Sequence, residues 1–112
     1  METPKLKLLT QAMSAYSLRA RATTSNLANL DTPGYQRVGV SFEQELQNAR
    51  RGVQATRSVE DVSARMKVED APPILEDELM EMSDTQMRTQ LTTRALREHF
   101  DLMSTGITGR PH

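Results

Sequence analysis

The chain has 112 residues, enough for one domain, and only 37% of them are hydrophobic and 4% aromatic. Its 14 basic and 15 acidic residues nearly cancel, which argues against long-range attraction to nucleic acid or to an anionic membrane. The absence of cysteine excludes disulfides and thiolate metal sites.

A regular apolar pattern near the N-terminus predicts a long helix from about Pro4 to Leu30. Pro4 suits the first helical turn, where its missing N–H has no intrahelical acceptor to lose. The segment Asp31–Gly34 should end the helix, since the residue before a proline is disfavoured in the α region and Pro-Gly favours a turn. The apolar positions alternate in steps of three and four, which is the a/d register of a heptad seam. The seam consists of Leu6, Leu9, Met13, Tyr16, Ala20, Thr23, Leu27 and Leu30.

The middle of the chain, residues 35–73, is predicted to be an insert with two short strands. A short helix is expected between the strands, over residues 43–51, with Ser41 and Gln44 as a capping box and Gly52 as the C-cap glycine. The strands can pair as an antiparallel ribbon, and Pro72-Pro73 ends the insert. Apolar alternation is the strand signal, at Val38, Val40 and Phe42 and again at Val62, Ala64, Met66 and Val68.

A second helix is predicted from Leu75 to about Ser104, with acidic residues at its start that complement the helix dipole. The same alternation of steps gives it a seam and, beside it, a second apolar stripe. The seam consists of Leu79, Met82, Gln86, Thr89, Thr93, Leu96, Phe100 and Met103. The second stripe consists of Met80, Met87, Leu91, Ala95 and Leu102.

The fold class follows from this order: a mainly α protein whose two long terminal helices pack as an antiparallel coiled-coil hairpin, with a short irregular, β-containing insert. We divide the single domain into residues 1–34, 35–73 and 74–112. The C-terminal helix has apolar groups on two faces, and one face can meet the N-terminal helix. Either the insert folds back over the other face, or a second subunit covers it.

The end of the first helix carries an uninterrupted polar motif. Asn26 and Asn29 are expected to hydrogen-bond to neighbouring backbone groups on the exposed flank. Gly34 should allow a positive φ, and Tyr35 offers an aromatic ring with a polar tip. The motif residues are Ser25, Asn26, Leu27, Ala28, Asn29, Asp31, Thr32, Pro33, Gly34 and Tyr35.

This motif resembles the N-terminal signature of the bacterial flagellar basal-body rod and hook family. The acidic, Met-rich start of the C-terminal helix, residues 76–88, and the ending Arg97–Phe100 are similar to those of the proximal rod protein of the B type. The resemblance implies a structural subunit that is exported unfolded by the flagellar type III apparatus, assembles helically through its terminal helices and transmits torque in the periplasm-spanning rod. The implied partners are other copies, other rod proteins, and the ring adaptor and export gate at the rod base.

Two alternatives stay open at this stage: another axial protein of the same family, of the C type, or a cytosolic coiled-coil adaptor or chaperone. Export would not use an ordinary secretory signal, since the N-terminus lacks a continuous apolar stretch. We expect no catalytic residues, cofactor, metal or small-molecule substrate, because no nucleophile, phosphate loop or metal-ligand spacing is present. His99 is predicted on the helix surface. The arginines of the first half of the chain are predicted to meet the acidic helix start of a neighbouring subunit, and they are Arg19, Arg21, Arg37, Arg50, Arg51 and Arg57.

Overall fold

The protein is described here by a computed structural model over residues 3–43 and 64–108. Its elements are α1 (Pro4–Ala28), β1 (Val38–Ser41), β2 (Arg65–Val68) and α2 (Leu75–Thr108). The predicted fold class is confirmed, because the two long helices pack against each other and a two-stranded sheet forms the insert. The short helix predicted over residues 43–51 and the strand start at Val62 lie outside the described residues, apart from Glu43. Neither described helix is long and apolar enough to cross a membrane.

The two helices run antiparallel. Near the start of α1, Met13 accepts a weak hydrogen bond from Thr93 in the second half of α2, with 3.9 Å between sulfur and oxygen. Near the end of α1, Asn26 contacts Glu78 in the first turn of α2. The C-terminus of α1 and the N-terminus of α2 therefore lie at the same end of the hairpin, and the β-ribbon lies between them in the chain.

Local signals fix both ends of α1. Thr3 is the N-cap, and its hydroxyl accepts the Leu6 amide at 3.1 Å, while Pro4 occupies the first turn as predicted. The helix ends at Ala28, two residues before the predicted Leu30, with Asn29 as the C-cap. The turn that follows contains Gly34 at φ 77°, the positive value predicted for it.

The β-ribbon packs on α1. β1 and β2 pair antiparallel with Val38 opposite Val68 and Val40 opposite Met66, so the predicted ribbon is confirmed. The ring of Phe42, directly after β1, meets Tyr16 edge to face with 6.3 Å between the ring centroids. Together with Ala12 and Ala15, these two rings form the buried apolar cluster of the described chain.

Many of the residues buried along the two helices are polar. The buried positions of α2 are Glu78, Thr85 and His99. His99 is therefore not on the surface as predicted, because it lies 14 residues after Thr85 and shares the buried face of α2. Its ring meets that of Phe100 edge to face at 5.9 Å. On α1 the buried positions are Ala12, Ala15, Tyr16, Arg19, Ala22, Thr23 and Asn26.

The contact face of each helix is rotated from the predicted heptad seam. In α1, Tyr16 and Thr23 are buried as the seam requires, whereas Ala20 is exposed. The physical reason is that Arg19 and Asn26 turn inward to reach acidic partners, which moves the contact face by about one residue. The other apolar seam positions of α1 are half-buried, at Leu6, Leu9, Met13, Leu27 and Leu30.

The same rotation in α2 exposes most of its large apolar side chains. Of its apolar seam positions, Leu96 and Met103 are half-buried, whereas Leu79, Met82 and Phe100 are exposed. In the second stripe only Ala95 is half-buried. The other stripe residues are Met80, Met87, Leu91 and Leu102, with 71%, 53%, 53% and 69% of their surface exposed.

Candidate functional site

Two features stand out as candidate functional surfaces. The first is a polar cluster at the end of the hairpin that carries the motif, built from the buried Asn26 and Glu78 and the half-buried Arg37 and Glu69. We call it the polar joint. The second is the row of exposed side chains Met80, Met87, Leu91 and Leu102 on α2, which we call the outer stripe.

Asn26 is the centre of the polar joint and is completely buried. Its amide nitrogen donates to the Val38 carbonyl at 2.8 Å and to a carboxylate oxygen of Glu78 at 3.0 Å. Its amide oxygen accepts the Val38 N–H at 2.8 Å and the Tyr35 hydroxyl at 3.3 Å. An asparagine side chain has two donors and two acceptor lone pairs, so every one of them is used. The prediction that Asn26 bonds to backbone on an exposed flank is wrong in its location: it joins α1 to β1 and α2.

Glu78 is also completely buried and is neutralised by Arg37. The guanidinium donates from Nε to one carboxylate oxygen at 2.8 Å and from Nη2 to the other at 3.4 Å, a bidentate geometry. Its Nη1 donates to Glu69, next to β2, at 2.8 Å. A buried carboxylate without such a partner would be strongly destabilising. The joint therefore connects both helices with the residue before β1 and the residue after β2.

The hydrogen bonds to Glu78 raise the pKa of the Arg37 guanidinium above its usual value, and burial opposes them only in part. A raised folded-state pKa means that the stabilising contribution is complete below the unfolded-state pKa of arginine. It is lost only as the pH rises through the higher folded-state value. Arg37 therefore keeps the positive charge that the joint needs throughout the neutral and mildly alkaline pH range.

A buried arginine, Arg19, lies two helical turns before Asn26 in α1. Arg19 is 6% exposed, forms ion pairs with Glu43 and with Glu81, and stacks over the Tyr16 ring at 5.5 Å. The prediction that Arg19 meets the acidic start of a neighbour's helix is therefore corrected, because its acidic partners lie in its own chain. Arg21, on the other side of α1, is exposed.

The rest of the motif forms the turn that brings Arg37 and Val38 to the joint. The Asn29 amide donates to the Ser25 carbonyl at 2.8 Å, as predicted, and its oxygen accepts the Thr32 hydroxyl at 3.1 Å. Because the Tyr35 hydroxyl donates to Asn26, it can accept from Ser25, whose oxygen is 2.9 Å away. The exposed motif residues are Ser25, Ala28, Asp31, Thr32, Pro33 and Gly34, and Leu27, Asn29 and Tyr35 are half-buried.

Within residues 3–43 and 64–108 no group of three or more metal-ligating side chains is found. The titratable groups that do cluster form ion pairs, as in the polar joint and between Arg88 and Asp84. There the carboxylate raises the pKa of Arg88 through a 2.8 Å hydrogen bond. The polar joint connects separate elements, whereas the Arg88–Asp84 pair lies within α2.

The comparison with known families falls on the N-terminal part of the chain, which contributes Asn26 to the joint. Residues 6–36 match the family model described as "Flagella basal body rod protein". The resemblance inferred from the motif is thereby confirmed for this segment, at the level of the family. No curated protein matches the chain.

The matched segment ends at residue 36, immediately before Arg37. The sequence predicted an acidic partner for Arg37 at the helix start of a neighbouring subunit, and this is corrected, because its partner Glu78 lies in the same chain. Arg50, Arg51 and Arg57 lie outside the described residues. Glu78 itself was not predicted, since one carboxylate in an acidic run has no distinguishing pattern. The signal for the contact is the charge difference between the helices. A helix with four basic and no acidic residues, α1, faces a helix whose first 13 residues carry five acidic and no basic ones.

Proposed function

We propose that this chain is a subunit of the proximal flagellar rod, of the B type, and that its terminal helices assemble it helically with its neighbours. The family match over residues 6–36 supports a structural subunit of the basal body. The B type rests on the acidic, Met-rich start and the Arg97–Phe100 segment of α2. Export through the flagellar type III apparatus and the transmission of torque belong to the same proposal.

The observation that carries the assembly part is the outer stripe. A helix of an independent small protein normally buries its large apolar residues and exposes its charged ones. In α2 the order is reversed, since Glu78 is fully buried while Met80 is 71% exposed. Contiguous exposed apolar surface marks an interaction site. We infer that neighbouring rod subunits cover the stripe.

The proposed partners are other copies of the chain, other rod proteins, and the ring adaptor and export gate at the base of the rod. The proposal includes no catalytic step, cofactor or nucleic acid. The assembly role of the predicted seam residues also stays a prediction, with one refinement: the exposed seam residues Leu79, Met82 and Phe100 are available to a neighbour, whereas Tyr16 is committed to the chain's own core.

The test is to locate the chain in purified basal bodies. A tagged chain is expressed in cells with and without a functional flagellar export apparatus, and basal bodies are imaged with the tag labelled. We expect density in the rod close to the membrane ring, and no secreted chain when export is disabled. A chain that stays in the cytoplasm of motile cells, bound to a soluble partner, would favour the adaptor alternative instead.

A further inference from the structure

We propose that the outer stripe of one copy docks, at its Met80 end, into the groove between α1 and α2 of the next copy. The inference deepens the proposed function and rests on it for its biological setting. The contact itself concerns only this chain, so it can be tested with purified protein.

The groove lies between the two helices. It has a volume of about 310 Å³ and is lined by Ala20, Thr24, Met82, Thr85, Gln86 and Thr89. Small side chains on α1 leave the space, and one lining residue is unusual. Thr85 is buried, yet its hydroxyl has no hydrogen-bond partner within the described ranges. By contrast, the hydroxyl of Thr89, one turn later, donates to the Thr85 carbonyl.

A second, more open groove continues across α1 and shares Ala20 and Thr24 with the first. Its lining includes Arg21, which is exposed and has no ion-pair partner among the described residues. The floor of this continuous surface consists mostly of small side chains such as Ala20 and Thr24, and Arg21 places one positive charge at its edge. Such a surface favours a ligand helix that presents an apolar side chain between carboxylates.

The Met80 end of the outer stripe has this character. Glu76 and Asp77 lie four and three residues before Met80, so they share its face of the helix. Both are exposed and have no ion-pair partner in the described part of the chain. Met80 has an unbranched, flexible side chain that adapts to an irregular groove. Carboxylates beside Met80 and the guanidinium of Arg21 are thus complementary in charge.

The geometry also determines the type of contact. Groove residue Met82 and stripe residue Met80 are about 200° apart around α2, at about 100° per residue, and the same holds for Thr89 and Leu91. Groove and stripe therefore face opposite sides of the hairpin. A contact between two different surfaces on opposite sides is heterologous, and repeated contacts of this kind build an open helical array unless the ring closes. Further copies can therefore be added one after another, each by the same contact.

The first experiment uses the absence of cysteine from the chain. A Thr24→Cys chain and a differently sized, tagged chain with Ser83→Cys, three residues after Met80 on the same side of α2, are mixed and oxidised mildly with diamide. Both sites are exposed, so neither substitution should disturb folding. We expect the mixed disulfide in about tenfold excess over either homodimer, because docking raises the effective concentration of that pair alone. Thr24→Cys mixed with Lys67→Cys, on the exposed face of β2, is the matched control.

Homodimers as abundant as the mixed product, or a mixed yield no higher than the control, would overturn the proposal, as would a chain that forms no disulfide at any concentration. A chain absent from the basal body but positive in this assay would reject the proposed function and leave the contact intact. A chain that is present in the basal body but negative in this assay would reject the contact and leave the proposed function intact.

The second experiment is a charge exchange. Arg21→Glu should weaken self-association about fivefold, as expected from the loss of one exposed ion pair, and so should Glu76→Arg. Mixing the two variants should restore association between them, because the charges are complementary again. Sedimentation gives the association constants, and circular dichroism shows that both variants remain helical. A mixture that associates no better than the variants do alone contradicts the docking geometry.

Discussion

The two faces of α2 use opposite chemistry. The inner face, at the polar joint, buries a carboxylate and satisfies it with Asn26 and Arg37. The outer face exposes Met80 and Leu102, which are 71% and 69% accessible. The hydrophobic effect stabilises any contact that removes apolar area from water, within one chain or between two chains. A bidentate ion pair, by contrast, requires one specific geometry. The comparison teaches that polar contacts fix the start of α2 against α1 and the ribbon, whereas the large apolar side chains of its outer face contribute little to the core of the single chain.

Removing the buried carboxylate should have the largest effect on the stability of the single chain. Glu78→Ala leaves Arg37 and the Asn26 amide without their shared acceptor and is expected to cost about 3 kcal/mol of unfolding free energy. Glu76→Ala, two residues earlier and exposed, is the matched control and should change stability by less than about 0.5 kcal/mol. Urea denaturation measures both. Equal effects would show that the joint is not an internal tie.

The two asparagines of the motif provide an isosteric comparison. Asn26→Asp replaces two donors by a charge that faces Glu78, and we expect a loss of about 2 kcal/mol. Asn29→Asp loses one exposed hydrogen bond to Ser25 and should cost about 1 kcal/mol or less. Because Asn26 and Glu78 share a hydrogen bond, the double variant Asn26→Asp/Glu78→Ala should be less destabilised than the sum of the single variants. Additive losses would contradict direct coupling.

The two arginines near the middle of α1 should also differ. Arg19→Ala removes the partner of Glu43 and Glu81 from a buried site, at a cost of about 2 kcal/mol. Arg21→Ala should leave the unfolding free energy within about 0.5 kcal/mol and affect only association. Thermal melting at low protein concentration separates the two quantities. If Arg21→Ala were the more destabilising change, the assignment of Arg19 to the interior would be wrong.

Two glycines should respond with opposite signs. Gly34 has a positive φ, and Gly34→Ala is expected to cost about 1 kcal/mol through backbone strain alone, since a Cβ there meets no atom within 4 Å. Gly106 lies in α2 and also has open space around it. Gly106→Ala should therefore stabilise the helix by about 0.5 kcal/mol. The same sign at both positions would contradict the turn geometry of the motif.

Much of the fold could be predicted from the sequence. Periodicity predicted both long helices, and alternation around Val40 and Met66 predicted the ribbon, because these patterns reflect local backbone geometry. The orientation of the helices about their own axes could not be predicted. A heptad analysis assigns inward positions by apolarity, but here buried ion pairs rotate the helices so that Ala20 and Leu79 become exposed. The pairing of Arg37 with Glu78 within one chain could not be predicted either, since it spans 41 residues and leaves no local pattern.

The most direct test of the account is the amount of the variant Met80→Lys/Leu91→Lys in purified basal bodies, relative to the amount exported. Both changes lie on the outer stripe, so the unfolding free energy of the single chain should stay within about 0.5 kcal/mol of the unaltered value. We predict that the variant is exported at the normal level but is missing from the rod. Incorporation at the level of the unaltered chain would contradict the claim that the outer stripe joins this subunit to its neighbours.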